Sequence, residues 1–281
     1  MKVSVVMAGR NSNPALLKEA IDSILNQTFQ DFEFVFVDDG SDMPMEPVVR
    51  SISSDSRIIV YRIPHSGLGA ALNHGIKHAN GEYIARIDDD DLALPTRLEK
   101  QVAFLDEHPD VSCVGTWFYD KVGKKCLPHR AYPTEHKELV RDLLGIHWGL
   151  AHTTVMYRKG AFEKVGGYRI QGGGQDLDLF LQLGTVGKLA NVDEYLTCYT
   201  MSANGLGSVN PKKKEAYIFA LNDVVERNLY PAYVEIAKLS IRQLKKENKS
   251  VLRTRLIRTL MVWRVRLLGK TFSTLNFKTR G

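Results

Sequence analysis

Short apolar runs alternate with helically spaced apolar positions through the first hundred residues. Lys2–Met7 is a β-branched apolar run that predicts a buried strand. Asn13-Pro14 after it supplies a helix cap followed by proline at the first helical position. Leu16, Leu17, Ala20, Ile21, Ile24 and Leu25 then recur at the period of a helix. Glu33–Val37 predicts a second strand, ended by Asp38-Asp39-Gly40-Ser41, and Arg57–Ile63 a third. A helical segment holds Ala70, Ala71 and Leu72. Glu82–Ile87 predicts a fourth strand, stopped by Asp88-Asp89-Asp90-Asp91, and Pro95 opens a helix carrying Leu98, Val102, Phe104 and Leu105. This β-α-β-α order predicts an α/β fold with a mostly parallel central sheet flanked by helices. Ligands in such sheets bind at the carboxyl ends of strands, where both acidic clusters fall.

From 111 to 210 the pattern is less regular and richer in glycine. Ser112–Phe118 is strand-like, and Gly172-Gly173-Gly174 leads into a helical Asp176–Leu183. Lys212–Lys214 begins a helical remainder. The organisation read from this is one domain over 1–210 in two halves, 1–110 and 111–210. A basic helical extension over 211–281 follows.

Composition changes the picture in two places. The three cysteines, Cys113, Cys126 and Cys198, have no metal-ligand spacing. They fit small buried residues in a reducing compartment. The N-terminal apolar stretch is too short for a secretory signal, and no apolar run is long enough to span a bilayer, so a cytoplasmic protein is expected. The net charge of +6 is unevenly spread: Lys238–Gly281 holds 13 Lys/Arg against one acid, leaving 25 against 31 in residues 1–237. An acidic body with a basic tail points to an anionic partner for the tail.

Four consecutive aspartates repel one another unless a cation sits among them. Hard oxygen ligands select Mg²⁺ or Mn²⁺, ions that keep waters and bridge to substrate phosphates. A solvated, helix-capping turn is the alternative, but it needs one or two acids rather than four. Asp38-Asp39-Gly40-Ser41, alone, reads equally as a type I turn. Paired with a second acidic strand end, it points to a nucleoside held by carboxylates.

Five pieces in order resemble the family 2 glycosyltransferases of the GT-A fold, over about residues 1–205. They are Val3-Ser4-Val5-Val6-Met7 with Asn11; Phe36-Val37-Asp38-Asp39-Gly40-Ser41; Gly67-Leu68-Gly69-Ala70-Ala71-Leu72-Asn73-His74-Gly75; Gly81–Asp91; and His152–Arg158 with Gly166-Gly167-Tyr168 and Gln175-Asp176. The resemblance implies an inverting enzyme that moves one sugar from a nucleotide-sugar, UDP by default, to an acceptor hydroxyl. Asp39 looks like the carboxylate on the nucleobase, and Arg10 stands where an aromatic ring often lies beside the base. Ala8, Asn73 and Arg86 complete the donor side. Asp88 and Asp90 match the Asp-x-Asp pair, facing ribose and metal; Asp89 and Asp91 share that spacing. Asp176 matches the general base. His152 belongs to a segment that resembles the floor of the site, and Gln175 stands where the family has an acid. Trp148 either stacks on an acceptor sugar beside His147 or fills the core. Tyr199-Thr200-Met201-Ser202 lacks the family's histidine near the diphosphate.

The alternatives are a metal-dependent phosphohydrolase or nucleotidyltransferase, and a non-catalytic nucleotide-sugar-binding protein. A dinucleotide oxidoreductase is excluded, because Gly-x-Gly-x-x-Gly is absent from the first strand–helix turn.

In the tail, Leu252, Leu256, Leu260, Trp263 and Leu267 form one helical stripe among Arg253, Arg255, Arg258, Arg264 and Arg266. That suits an anionic membrane surface, peripheral at the inner face, with a glycan or lipid-linked glycan as acceptor. A second apolar group, Ile257, Met261 and Leu268, suits packing on the body or homo-oligomerisation instead. No nucleic-acid-binding motif accompanies the charge. Truncation at about residue 245 is expected to leave a soluble fold and weaken co-sedimentation with anionic liposomes. Unchanged co-sedimentation would remove the membrane reading.

Overall fold

The computed structural model describes residues 1–123, 125–201 and 211–246. The basic stripe of the tail and Ser202 lie outside the described residues. The first half follows the expected alternation: β1 Val3–Gly9, α1 Pro14–Leu25, β2 Phe32–Asp39, α2 Glu46–Ile52, β3 Ile58–Ile63, α3 Leu68–Lys77 and β4 Tyr83–Arg86. A short β5, Leu92–Ala93, and α4, Arg97–Glu107, come next. The second half comprises β6 Val111–Val122, β7 Lys125–Pro128, α5 His136–Leu144, β8 Met156–Arg158, α6 Lys159–Lys164, α7 Gln175–Val186 and β9 Lys188–Thr200. Helices α8, Pro211–Glu226, and α9, Val234–Lys246, close the described chain.

The strands order as β3-β2-β1-β4-β8-β6-β9-β5, with β7 on β6. The expected parallel pairing holds across β3, β2, β1 and β4. Beyond β4 the sheet becomes mixed, with β8 antiparallel to both β4 and β6 while β6 and β9 run parallel. Every residue of β1 and β2 is buried, as a strand covered on both faces requires. Period-two alternation sorts them into two cores. Val3, Val5, Met7, Phe32, Phe34 and Phe36 face the α1, α2 and α4 layer, while Val6, Ala8, Val35 and Val37 face α3 and the second-half helices.

The chain beyond 210 shares that second core. Tyr217, Ala220, Leu221 and Val224 of α8 and Ala237 and Ile241 of α9 are buried with α5 and α7. Among the described residues no helix is long and apolar enough to cross a membrane. Cys113 and Cys198 are buried and Cys126 half-buried, all as free thiols. The sulfurs of Cys126 and Cys198 lie 2.9 Å apart.

At the amino ends of the strands, away from the acidic clusters, a buried polar knot ties β1, β2 and the turn into β4. Glu33 accepts from Ser4 Oγ at 2.6 Å and from the Asn80 backbone N–H, and Ser4 Oγ in turn accepts from Gly81 N–H at 2.7 Å. Burial alone pushes the Glu33 carboxyl up, but the donors from Asn80 and Ser4 outweigh it and hold the group below its ordinary value. A depressed acid contributes stability that is fully present above its unfolded pKa, near 4.3, and is lost as pH falls through the folded value. Glu33→Gln is expected to cost about 1–3 kcal/mol at pH 7, with the gap from wild type narrowing toward pH 3. Denaturant melts at the two pH values check this.

Candidate active site

The carboxyl ends of β1, β2 and β4 converge where the strand order departs from β1 in both directions, the position such sheets reserve for ligands. The loop after β1 is latched to the turn after β2. Asn11, at φ 53°, donates its backbone N–H to Ser41 Oγ at 2.8 Å, and its amide pairs with Asp42. Arg10 is exposed and donates Nε–H to the Gly40 carbonyl at 3.2 Å, which sets its guanidinium at the mouth between the two strands. Asp38 is structural: its oxygens accept from Ser41 and Met45 N–H, and despite burial its acid strength is increased. Asp39 accepts from Ser66 N–H at 2.7 Å and Gly67 N–H at 3.0 Å, beside His65 Nδ1, and so organises the turn into α3.

Each of the four aspartates has a different environment. Asp88 pairs with Arg86 Nη2, and its backbone N–H donates to Thr153 Oγ1. Asp89 packs against Gly9, where a Cβ would meet its Oδ2 at 2.7 Å. Asp91 is fully buried and accepts from Thr200 N–H at 2.6 Å, while Thr200 Oγ1 donates to the Asp90 carbonyl. The Asp90 carboxylate takes no hydrogen bond from another described side chain and remains partly exposed. Burial, then Asp88 and Asp89, push its pKa up to about 6, and burial raises Asp89 and Asp91 as well.

Arg86 lies under this turn, 1% exposed, with Nε and Nη1 unpaired by any described group. Arg97 sits behind it, fully buried, donating to Gln101 Oε1 at 3.0 Å and to the Arg86 carbonyl at 2.7 Å. Burial, and then Arg86, lower the Arg97 pKa to about 9 against the pull of Asp91.

Asp176 occupies the first turn of α7. Its carboxylate accepts from Leu177 N–H at 2.9 Å, and its charge helps raise the buried hydroxyls of Tyr168 and Tyr217, after burial itself. Gly174, at φ 88°, caps the helix where a Cβ would meet Ala216 at 2.9 Å, so only glycine suits both the turn and the contact with α8. His152 Nε2 and the Tyr168 hydroxyl share a 2.7 Å hydrogen bond. Burial, Arg86 and Lys213 hold His152 well below its ordinary pKa, which keeps the imidazole neutral at pH 7.

The structure thus gathers Arg10, Asp39, Arg86, Asp88, Asp90, His152, Gln175 and Asp176 along the carboxyl edge of the sheet and the start of α7. Two further expected donor residues use their side chains within the fold. Ala8 turns its methyl into the core beneath α3, so its side chain packs rather than faces the mouth. Asn73 commits both amide atoms to the backbone of Tyr168, at 2.8 and 2.9 Å, which positions the Gly167-Tyr168 turn. Trp148, at φ 57°, lies partly buried with its ring edge-on to Tyr217 at 5.6 Å. The latches from Thr153 and Thr200, and the wall that Tyr217 adds from α8, were not among the sequence expectations. The core-facing spacing of Ala216, Tyr217, Ala220, Leu221 and Val224 is the signal that marks α8 as part of the body.

Among the described residues no three His, Cys, Asp or Glu side chains converge as a prebuilt metal cage. An unbridged Asp90 beside three other carboxylates instead fits a hard cation held jointly with a substrate diphosphate, as Mg²⁺ and Mn²⁺ are usually held.

The architecture is that of the GT-A glycosyltransferases. Residues 4–166 match the model of glycosyl transferase family 2, and the chain belongs to that family. It is 34% identical over 232 residues to an uncharacterized glycosyltransferase of Haemophilus influenzae, covering 79% of this chain and 85% of the relative. It is 31% identical over 184 residues to the O-antigen biosynthesis glycosyltransferase WbnJ of Escherichia coli, covering 64% and 71%. The fold superimposes on S. aureus TarS 1-349 in complex with UDP-GlcNAc at a TM-score of 0.70 and 19% identity, covering 86% of this chain and 72% of that one. Family membership makes the chain a glycosyltransferase with homologues in polysaccharide biosynthesis.

A raised acid costs the folded state stability as pH climbs from its unfolded pKa through its folded value, and for Asp90 that loss is complete above about pH 6. Asp90→Asn is therefore expected to stabilise the metal-free protein at pH 7 by roughly 1–3 kcal/mol. Wherever Mn²⁺ with UDP raises the melting temperature of the wild type, the same variant is expected to lose that rise. Thermal melts with and without Mn²⁺ and UDP measure both effects.

Proposed function

We propose that this chain is an inverting, metal-dependent glycosyltransferase that moves a single sugar from a UDP-sugar to an acceptor hydroxyl. The acceptor belongs to a cell-surface polysaccharide or a lipid-linked glycan under assembly on the cytoplasmic side. One observation carries the reading: the acidic end of β4 and Asp176 on α7 are connected through Arg86, which pairs with Asp88, and buried Tyr168, which bonds His152 and feels the charges of both Arg86 and Asp176. The UDP-GlcNAc bound by TarS supports the UDP default, and the role of WbnJ in O-antigen biosynthesis supports the acceptor class.

Asp39 and the backbone of the 65–67 turn receive the base, with the guanidinium plane of Arg10 stacking beside it. Asp88, oriented by Arg86, faces the ribose. A divalent cation at Asp90, Mn²⁺ or Mg²⁺, when bound, supplies charge that offsets the charge growing on the departing diphosphate. Asp176 accepts the proton of the acceptor hydroxyl as its oxygen bonds to the anomeric carbon from the face opposite the leaving group. The bond to the diphosphate breaks in the same displacement, so the configuration inverts and no glycosyl-enzyme forms. Neutral His152, buried Gln175 with Oε1 unpaired, and Trp148 line the acceptor side, able to hydrogen-bond hydroxyls and cover an apolar sugar face.

Calorimetric titration of UDP, GDP and CDP with and without Mn²⁺ identifies the nucleotide, with UDP expected to require the metal. Asp176→Asn is expected to lower sugar transfer by about 10²–10⁴-fold while donor affinity stays within error. Release of inorganic phosphate without an acceptor would move the reading to a phosphohydrolase. Donor binding with no transfer to any glycan acceptor would leave a nucleotide-sugar-binding protein.

A further inference from the structure

The segment that delivers Asp176 is poorly suited to hold its own shape. Residues 170–174 include three consecutive glycines, with Gly173 at φ 62° and Gly174 at φ 88°. Glycine carries the largest backbone entropy of any residue, so this loop must be fixed from outside.

Both ends of the loop are gripped by one ion pair. Arg169 donates Nε–H to Asp178 Oδ2 at 3.0 Å and Nη2–H to Asp178 Oδ1, a two-pronged fork on a carboxylate that is 0% exposed. The pair is anchored to α8. Arg169 Nη2 also donates to Asp223 Oδ2 at 3.1 Å, and Asp223 further accepts from Gln182 Nε2 at 3.0 Å and Arg227 Nη1 at 3.1 Å. The Arg169 guanidinium lies over the Phe219 ring, 5.5 Å from its centroid. A bidentate Arg–carboxylate pair fixes orientation as well as distance, unlike a lysine point charge.

Asp178 and Asp176 are two residues apart on the same helix, roughly 200° around its axis. Whatever pins Asp178 to α8 therefore also fixes where the first turn of α7 holds Asp176, whose charge is felt by Tyr168 and by Tyr217. Rotation of the first turn of α7 is the degree of freedom that the fork removes.

We infer that Arg169 is a positioning residue for the general base. Its fork to Asp178, braced by Asp223, sets the rotation of α7 and makes α8 a working part of the catalytic unit. This rests on the reading of Asp176 as the base, but the loop constraint is measurable without it.

The test uses the full chain and three variants: Arg169→Met, Arg169→Lys and the double change Arg169→Met with Asp178→Leu. The double variant removes the fork without stranding a buried charge, so it reports on the fork even where the single change fails to fold. Amide hydrogen exchange in peptides covering 170–177 is expected to quicken at least ~10-fold in Arg169→Met and in the double variant, with β1, β2 and β4 unchanged. Turnover is measured as UDP or GDP release from UDP-GlcNAc, UDP-glucose or GDP-mannose, whichever the wild type consumes. There kcat is expected to fall ~10–100-fold with donor KM within about twofold, and Arg169→Lys to recover only part of it.

Unchanged exchange in 170–177 overturns the proposal whether or not any donor turns over. Equal losses in kcat and donor affinity, with faster exchange throughout the molecule, also overturn it by reducing Arg169 to a structural contact. If Asp176→Asn keeps full turnover, the base assignment fails by itself, and the exchange result still decides whether the fork holds the loop.

Discussion

Crowding of like charge at the end of β4 is the constraint around which the rest of the molecule is arranged. Burial and neighbouring charge raise the proton affinity of Asp89, Asp90 and Asp91, and the structure gives each of the four carboxylates a different setting. Asp88 is neutralised by Arg86 from beneath, Asp91 is held by a backbone donor from β9, and Asp89 is tucked against a glycine. Asp90 receives no such partner. A fold that leaves one acid unbalanced carries a standing cost, and costs of this kind gather where a ligand is meant to complete the site.

The balancing charges are themselves expensive. Arg86 and Arg97 are both essentially inaccessible, and a buried guanidinium is tolerated only where carbonyls and carboxylates surround it. Arg97 meets that need with the carbonyls of Arg86 and Val155, joining α4, β4 and the strand leading into β8 at one point. Helix α4 is thus more than a cover for the sheet. It carries Arg97, whose fork holds the Arg86 backbone, and Gln101 on the same helix donates to the carbonyls of Val114 and Thr154. Electrostatics and packing are coupled through two arginines and a glutamine.

This explains which parts were legible in the sequence. Strands β1 to β4 are short, apolar and bounded by turn residues, so pattern alone located them, and their carboxyl ends located the acidic edge. Strand β9 escaped because its pairing with β6 shifts register: Thr116 opposes Val192 while Trp117 opposes Tyr195, leaving Asp193 and Glu194 outside the ladder and breaking the alternation. The acidic run 88–91 stood out at a strand end, whereas the contact that Asn73 makes did not. The spacing of Asn73 says only that it lies on α3, and its grip on Tyr168 spans a sequence separation of 95 residues. The Arg169–Asp178 fork was equally silent, since two charges nine positions apart have no reason to meet until a glycine loop folds back between them.

Besides the Asn73 side chain, backbone contacts tie the two halves of the site to each other. Asp39 organises the 65–67 turn, and the following residues touch the loop before α7 directly: Gly69 N–H donates to the Gln171 carbonyl at 2.9 Å. A Cβ at Gly67 would stand 2.5 Å from that carbonyl, and one at Gly69 would stand 2.1 Å from the carbonyl of Ile170. No side chain fits in this seam, so its width is set by main-chain contact. The turn that Asp39 orders and the loop before α7 therefore meet at main-chain contacts. The spacing of the 65–69 turn and the 170–174 loop in this chain is written into glycines.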